Sequence, residues 1–70
     1  MKKLIISYIL HGKEFPIMGV VGDDFAIVDI IGKRITKVIN KGFKLIHTDN
    51  NSMIYASNDV YTQYKFTVIA

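Results

Sequence analysis

The sequence predicts a small α+β fold of the order ββαβββ, in which one helix packs on one face of an antiparallel sheet. Three observations predict this class. Apolar residues alternate near both ends of the chain, they follow a helical period in the middle third, and turn-forming residues separate these segments. Half of the residues are hydrophobic, and many of those are β-branched, which favours strands over a helix bundle. A chain of 70 residues has room for one domain, residues 1–70.

Two strands joined by a short turn are predicted at the start of the chain. Leu4, Ile6, Tyr8 and Leu10 fall on one face of the first strand, and Lys3, Ile5, Ser7 and Ile9 fall on the other. A turn at residues 11–13 leads into a second apolar run, residues 15–21, and the two runs form a predicted hairpin. Because Pro16 cannot donate a backbone hydrogen bond, we expect the second strand to lie at an edge of the sheet.

A helix is predicted from Asp24 to Lys41. On the helical period of about 3.6 residues, an apolar stripe collects Phe25, Val28, Ile31, Ile35, Val38 and Ile39. Residues 22–24 offer an N-cap with acids in the first turn, and residues 40–42 offer basic residues and a C-terminal glycine. The many β-branched residues and the central Gly32 also fit an alternative, two strands that turn at this glycine. In that case the fold would be a small all-β barrel.

Three further strands are predicted after Gly42. They cover residues 43–48, 53–57 and 60–69, with turns at residues 49–52 and 58–59. One face of the last strand carries Tyr61, Gln63, Lys65, Thr67 and Ile69.

A single helix leaves the other face of the sheet uncovered, and on that face the sequence predicts a protein interface. The candidate interface residues are Ile5, Ile9, Tyr61, Lys65 and Ile69. We expect this surface to bind a second copy of the chain or another protein. Two other interpretations stay open, because the aliphatic side chains could be isolated at the surface or a closed sheet could bury them.

A basic stripe on the predicted helix is the second candidate site. Its residues are Lys33, Arg34, Lys37, Lys41 and Lys44, and three of the lysines recur at every fourth position. Such a stripe can contact nucleic-acid phosphates or an acidic protein, and it is also typical of a solvated face whose charges follow the helix dipole. The single arginine and the formal net charge of +3 argue against specific base recognition, which depends on bidentate guanidinium contacts.

The sequence predicts no reaction chemistry. The chain contains no cysteine, so disulfides, thiolate metal sites and cysteine nucleophiles are excluded. His47, Asp49 and Ser52 are the residue types of a catalytic triad, but they fall close together on one predicted turn, where nucleophile, base and orienting acid do not align. We therefore expect no catalytic residue, no metal and no cofactor.

These observations favour a non-enzymatic protein-binding module that self-associates, such as a phage-type or mobile-element-type inhibitor or regulator of a host protein. The alternative is a nucleic-acid-binding protein that uses the basic stripe. The isoleucine-rich, lysine-rich and arginine-poor usage is typical of AT-rich coding sequence, as in a low-GC bacterium or its phages. The apolar run at residues 4–10 is too short for a membrane span, and no cleavage site follows it, so we expect a cytoplasmic protein with no membrane partner.

Overall fold

Six secondary-structure elements follow one another in the predicted order. The computed structural model describes residues 1–70, with strands Lys2–Leu10 (β1), Lys13–Gly22 (β2), Lys44–Thr48 (β3), Ser52–Ala56 (β4) and Thr62–Ile69 (β5), and a helix Asp24–Asn40 (α1). The strands form one antiparallel sheet in the order β2-β1-β5-β4-β3. The predicted α+β class is therefore confirmed. The barrel alternative is wrong, because β2 and β3 are both free edges and residues 24–40 form one continuous helix.

The first two strands form the predicted hairpin. Its turn places His11 and Gly12 at positive φ, 50° and 81°. The register shifts between Ile6 and Ser7, which pair with Met18 and Pro16, so that Ile17 is an extra residue in β2. Pro16 lies in an edge strand as predicted, since β2 pairs only with β1.

The helix begins and ends at the predicted signals. The Asp23 carboxylate accepts a hydrogen bond of 2.8 Å from the backbone N–H of Ala26, which satisfies one of the free donors of the first turn. At the other end Gly42 adopts φ +92°, and its N–H donates to the carbonyl of Ile39 at 2.9 Å.

The side of the helix that faces the sheet differs from the predicted stripe. Ile27 and Val38 are buried, whereas Phe25 is 89 % exposed and Val28 is 68 % exposed. Ile39 is also exposed, so half of the predicted stripe lies outside the core. The reason is that apolar residues occupy more than half of the circumference of this helix, and a flat sheet can cover only part of it.

The core lies between α1 and the face of the sheet that we call the helix face. It contains Leu4, Ile6, Ile27, Val38, Tyr55 and Phe66. The helix starts beside β1, where the Lys2 ammonium lies 3.2 Å from the Asp24 carboxylate, and it ends near β5, where the rings of Phe43 and Tyr64 are 5.2 Å apart. The two ends of the helical segment therefore lie near different strands, β1 and β5.

The last strand is shorter than predicted. It begins at Thr62, because residues 57–61 form a longer turn in which Val60 adopts φ +57°. Asp59 stabilises this turn by accepting hydrogen bonds from the Ser57 hydroxyl at 2.6 Å and the Tyr61 N–H at 2.9 Å. The Ser57 hydrogen bond lowers the pKa of the Asp59 carboxyl.

Candidate functional site

A cleft between the C-terminal half of α1 and the helix face combines positive charge with apolar and aromatic side chains. We call it the basic cleft, and its lining residues are Ile6, Ile17, Arg34, Lys37, Val38, Lys41, Tyr64 and Phe66. Its volume is about 60 Å³. Pockets that enclose small molecules are several times larger, so this cleft suits a phosphate-sized group or an inserted side chain better than a whole cofactor.

The three cations of the basic cleft have no acidic partner. Arg34, Lys37 and Lys41 lie on one side of the helix, at spacings of three and four residues. The Arg34 Nη2 atom lies 3.6 Å from the sulfur of Met18, and none of the three forms an ion pair. Their charges are therefore compensated only by solvent and counterions.

The other two residues of the predicted basic stripe lie elsewhere. Lys33 points away from the cleft and forms an ion pair with Asp29, with a nitrogen–oxygen distance of 3.1 Å. Lys44 is in β3, where it pairs with Ala56 and so belongs to the opposite face of the sheet. The structure thus brings together Arg34, Lys37 and Lys41, but separates Lys33 and Lys44 from them.

Aromatic side chains extend the basic cleft across the helix face. Phe15, Tyr8 and Tyr64 occupy adjacent positions on β2, β1 and β5, and we call them the aromatic row. The rings of Tyr8 and Tyr64 are 5.2 Å apart in an edge-to-face arrangement. Phe15 stands on the free edge strand and is 50 % exposed.

The aromatic row was not predicted from the sequence as part of a site. The alternation of β1 and β5 does place Tyr8 and Tyr64 on one face, and that signal was present. Phe15 was not placed on that face, because its pairing with Tyr8 follows from a turn of only two residues, His11 and Gly12, whereas the sequence predicted a turn at residues 11–13.

The uncovered face, opposite α1, carries most of the predicted protein interface. Ile5 and Ile9 are half-buried, and Ile69 is 47 % exposed. Lys65 forms an ion pair of 3.6 Å with Glu14. Tyr61 lies in the turn before β5, where its ring is 5.4 Å from that of His11.

One polar side chain on the uncovered face is completely buried. Ser7 has 0 % exposure, and its hydroxyl has no hydrogen-bond partner. Its neighbours in the register are Pro16 on β2 and Lys65 on β5. This hydroxyl is therefore a local cost to stability.

The triad-like residues form a capped turn. The Asp49 carboxylate accepts hydrogen bonds from the N–H groups of Asn51 and Ser52, both at 2.8 Å, and lies 3.3 Å from the His47 imidazole. These contacts, the Asn51 N–H first among them, lower the pKa of Asp49 to about 2. The Ser52 hydroxyl also donates to this carboxylate, at 3.1 Å, so serine and histidine each bond to the aspartate and not to one another.

No three His, Asp or Glu side chains come together as a metal site would require. The helix α1 is too short and too polar to cross a membrane. Comparison with known proteins gives no match: no protein-family model, no curated protein and no solved structure matches this chain.

Proposed function

We propose that this protein is a non-enzymatic nucleic-acid-binding module and that Arg34, Lys37 and Lys41 contact the phosphates. The observation that carries the proposal is the basic cleft, in which three cations lack any acidic partner and lie beside aromatic side chains. Among the other cations, Lys2, Lys33 and Lys65 are paired with carboxylates. The unpaired Lys3, Lys13 and Lys44 lie at separate places in the sheet, so the basic cleft is the one place where unpaired cations are clustered.

The expected binding is electrostatic and tolerant of sequence. Cations that neutralise phosphates release counterions from the nucleic acid, and this release favours binding at low salt. A single arginine supplies few of the bidentate contacts on which base recognition depends. We therefore expect similar affinities for strands of different sequence and a strong dependence on salt.

A pair of charge-reversal variants tests the proposal. Lys37→Glu/Lys41→Glu reverses two charges in the basic cleft, and Lys3→Glu/Lys44→Glu reverses two unpaired lysines outside it. Both variants lower the net charge by the same amount. At about 50 mM salt we expect the cleft variant to bind a fluorescent oligonucleotide at least about 10-fold more weakly than the wild type, and the control about 3-fold more weakly or less.

Two further measurements make the result decisive. Thermal unfolding followed by circular dichroism checks that both variants fold. If Lys37→Glu/Lys41→Glu does not fold, Lys37→Gln/Lys41→Gln takes its place in the binding measurement. Competition with polyglutamate asks whether an acidic polypeptide serves equally well. Equal losses in both variants, or binding of polyglutamate as tight as that of the oligonucleotide, would overturn the proposal.

Protein binding through the uncovered face is the second candidate function. It is supported by Ile5, Ile9 and Ile69, which no second layer covers, and by the two free edges of the sheet. In this candidate function the protein self-associates or regulates a host protein. Sedimentation equilibrium of the wild type and of Ile69→Lys tests self-association. A wild-type dimer that dissociates in the variant would support it, and a monomer at every concentration would exclude it.

A further inference from the structure

We infer that the nucleic acid bound in the basic cleft is single-stranded and that its bases stack on the aromatic row. This inference rests on the proposed function and adds to it the class of strand and the residues that contact its bases. Unpaired bases stack readily on aromatic side chains, and proteins that bind single strands combine such rings with a positively charged groove.

The rings of the aromatic row are accessible to a ligand. Phe15 is 50 % exposed on an edge strand, and Tyr8 and Tyr64 are only half-buried. No aromatic ring stacks on Phe15 within the chain, whereas Tyr64 contacts both Tyr8 and Phe43. Within the aromatic row, Phe15 is therefore the ring with the most free surface for a base.

Cations lie on both sides of this platform. Lys13 precedes Phe15 in β2 and pairs with Leu10, which places it on the same face of the sheet. Like the lysines of the basic cleft, Lys13 forms no ion pair. On the other side Ile17 follows Phe15 and lines the basic cleft together with Arg34. A strand whose bases lie on the aromatic row would have phosphates near cations at both ends.

A duplex does not use these features. Its bases are stacked on one another, so their faces are not available to Phe15 or Tyr8 unless the duplex opens. Binding of a duplex would therefore depend on the cations alone and would gain nothing from the aromatic row.

The first experiment compares strands of the same length. Anisotropy titrations use oligothymidylate and oligouridylate of about 15 nucleotides, within the usual range of single-strand site sizes, and a mixed-sequence duplex of that length. We expect both single strands to bind at least about 10-fold more tightly than the duplex at the same salt concentration, because only they can stack on the rings. Comparison of the DNA strand with the RNA strand shows which of the two kinds of single strand the protein binds more tightly.

The second experiment compares two phenylalanines. Phe15→Leu removes the platform ring, and Phe25→Leu removes the 89 % exposed ring at the start of α1, away from the basic cleft. Loss of base stacking predicts that Phe15→Leu binds the single strands about 5- to 100-fold more weakly. We expect Phe25→Leu to bind them like the wild type, and neither substitution to change duplex binding.

The outcomes separate this inference from the proposed function. Suppose that single strands and duplex bind equally tightly and that Phe15→Leu changes neither affinity. The preference for single strands and the stacking of bases on the aromatic row are then wrong, while the proposal of electrostatic nucleic-acid binding stands. If the wild type binds none of these oligonucleotides at low salt, both proposals are wrong. If Phe25→Leu weakens binding as much as Phe15→Leu does, the bases do not stack on the aromatic row.

Discussion

The two faces of the sheet carry the same kinds of side chain but arrange them differently. On the uncovered face Lys65 is paired with Glu14, and the central isoleucines Ile5 and Ile9 are half-buried. On the helix face, next to α1, Arg34 and its neighbouring lysines have no acidic partner, and Tyr64 lines the same cleft and belongs to the aromatic row that ends at the half-exposed Phe15.

This difference shows that the residue composition of a surface does not by itself identify it as a binding surface. Apolar and basic residues occur on both faces, so their presence favours neither face. What distinguishes the helix face is that three unpaired cations lie together in the basic cleft, whereas the unpaired Lys3 and Lys44 of the uncovered face lie apart on β1 and β3. Charges without an internal partner gain most from an external anion.

The largest expected change is in stability, at Ile5 and Ile6. These two residues are neighbours in β1 and point to opposite faces of the sheet, so they allow the two faces to be compared. Ile6 is 2 % exposed in the core, so Ile6→Ala should lower the free energy of unfolding by about 3 kcal/mol. Ile5 is half-buried, so Ile5→Ala should lower it by about 1 kcal/mol. Chemical denaturation measures both values.

Equal losses at the two positions would show that the uncovered face is as well packed as the helix face. If Ile6→Ala does not fold, the pair Ile6→Val and Ile5→Val makes the same comparison with smaller losses.

Substitution of Ser7 tests whether a buried polar group on the uncovered face lowers the free energy of unfolding. Because its buried hydroxyl has no partner, Ser7→Ala should raise the free energy of unfolding by about 1 kcal/mol. Ser57→Ala is the matched control, since the Ser57 hydroxyl donates to Asp59 at 2.6 Å, and it should lower the free energy by about 1 kcal/mol. A destabilised Ser7→Ala would mean that the Ser7 hydroxyl is hydrogen-bonded after all.

Glu14→Gln removes the ion pair of Lys65 and so leaves an additional unpaired cation on the uncovered face. The pair is partly exposed, so its loss should lower the free energy of unfolding by less than about 0.5 kcal/mol. The freed lysine adds a positive charge to the uncovered face. We expect only a small gain in oligonucleotide affinity, because the aromatic row lies on the other face. A gain as large as the loss caused by Lys37→Glu/Lys41→Glu would contradict the assignment of the site.

The smallest expected effect is the dependence of stability on the protonation of Asp49. Since its pKa is lowered to about 2 in the folded protein, its contribution to stability is fully present above the ordinary value of 3.8 and is lost as the pH falls through about 2. A carbon-13 titration of the Asp49 carboxyl should give a midpoint near 2. In Asn51→Pro, which lacks the first N–H donor, the midpoint should move upward. A midpoint at the ordinary value in the wild type would show that the capped turn is not formed in solution.

The sequence predicted the fold well because its signals are local. Residues 22–24 and Gly42 marked the ends of α1, Pro16 marked an edge strand, and alternation identified the strands. These features depend on a few neighbouring residues each, so no knowledge of the tertiary packing is needed.

The composition of the candidate site was only partly predictable, because it depends on tertiary geometry. The helical period put Lys37 and Lys41 on one side, but only the rotation of α1 on the sheet decides that Arg34 faces the cleft and Lys33 does not. Ile17 lines the cleft from the extra position in β2, and Phe15 joins the aromatic row through its pairing with Tyr8; both depend on the register of the strands, which has no local sequence signature.

The dependence of binding on salt tests the central claim most directly. If Arg34, Lys37 and Lys41 each neutralise a phosphate of a single strand, they contribute about −2 to the slope of the plot of log K against log salt concentration, from about −0.7 for each contact. In Lys37→Gln/Lys41→Gln two of these contacts are lost, and the slope should become shallower by about 1.4. A wild-type affinity that does not change with salt, or the same slope in both proteins, would contradict the claim that the unpaired cations of the basic cleft hold the phosphates.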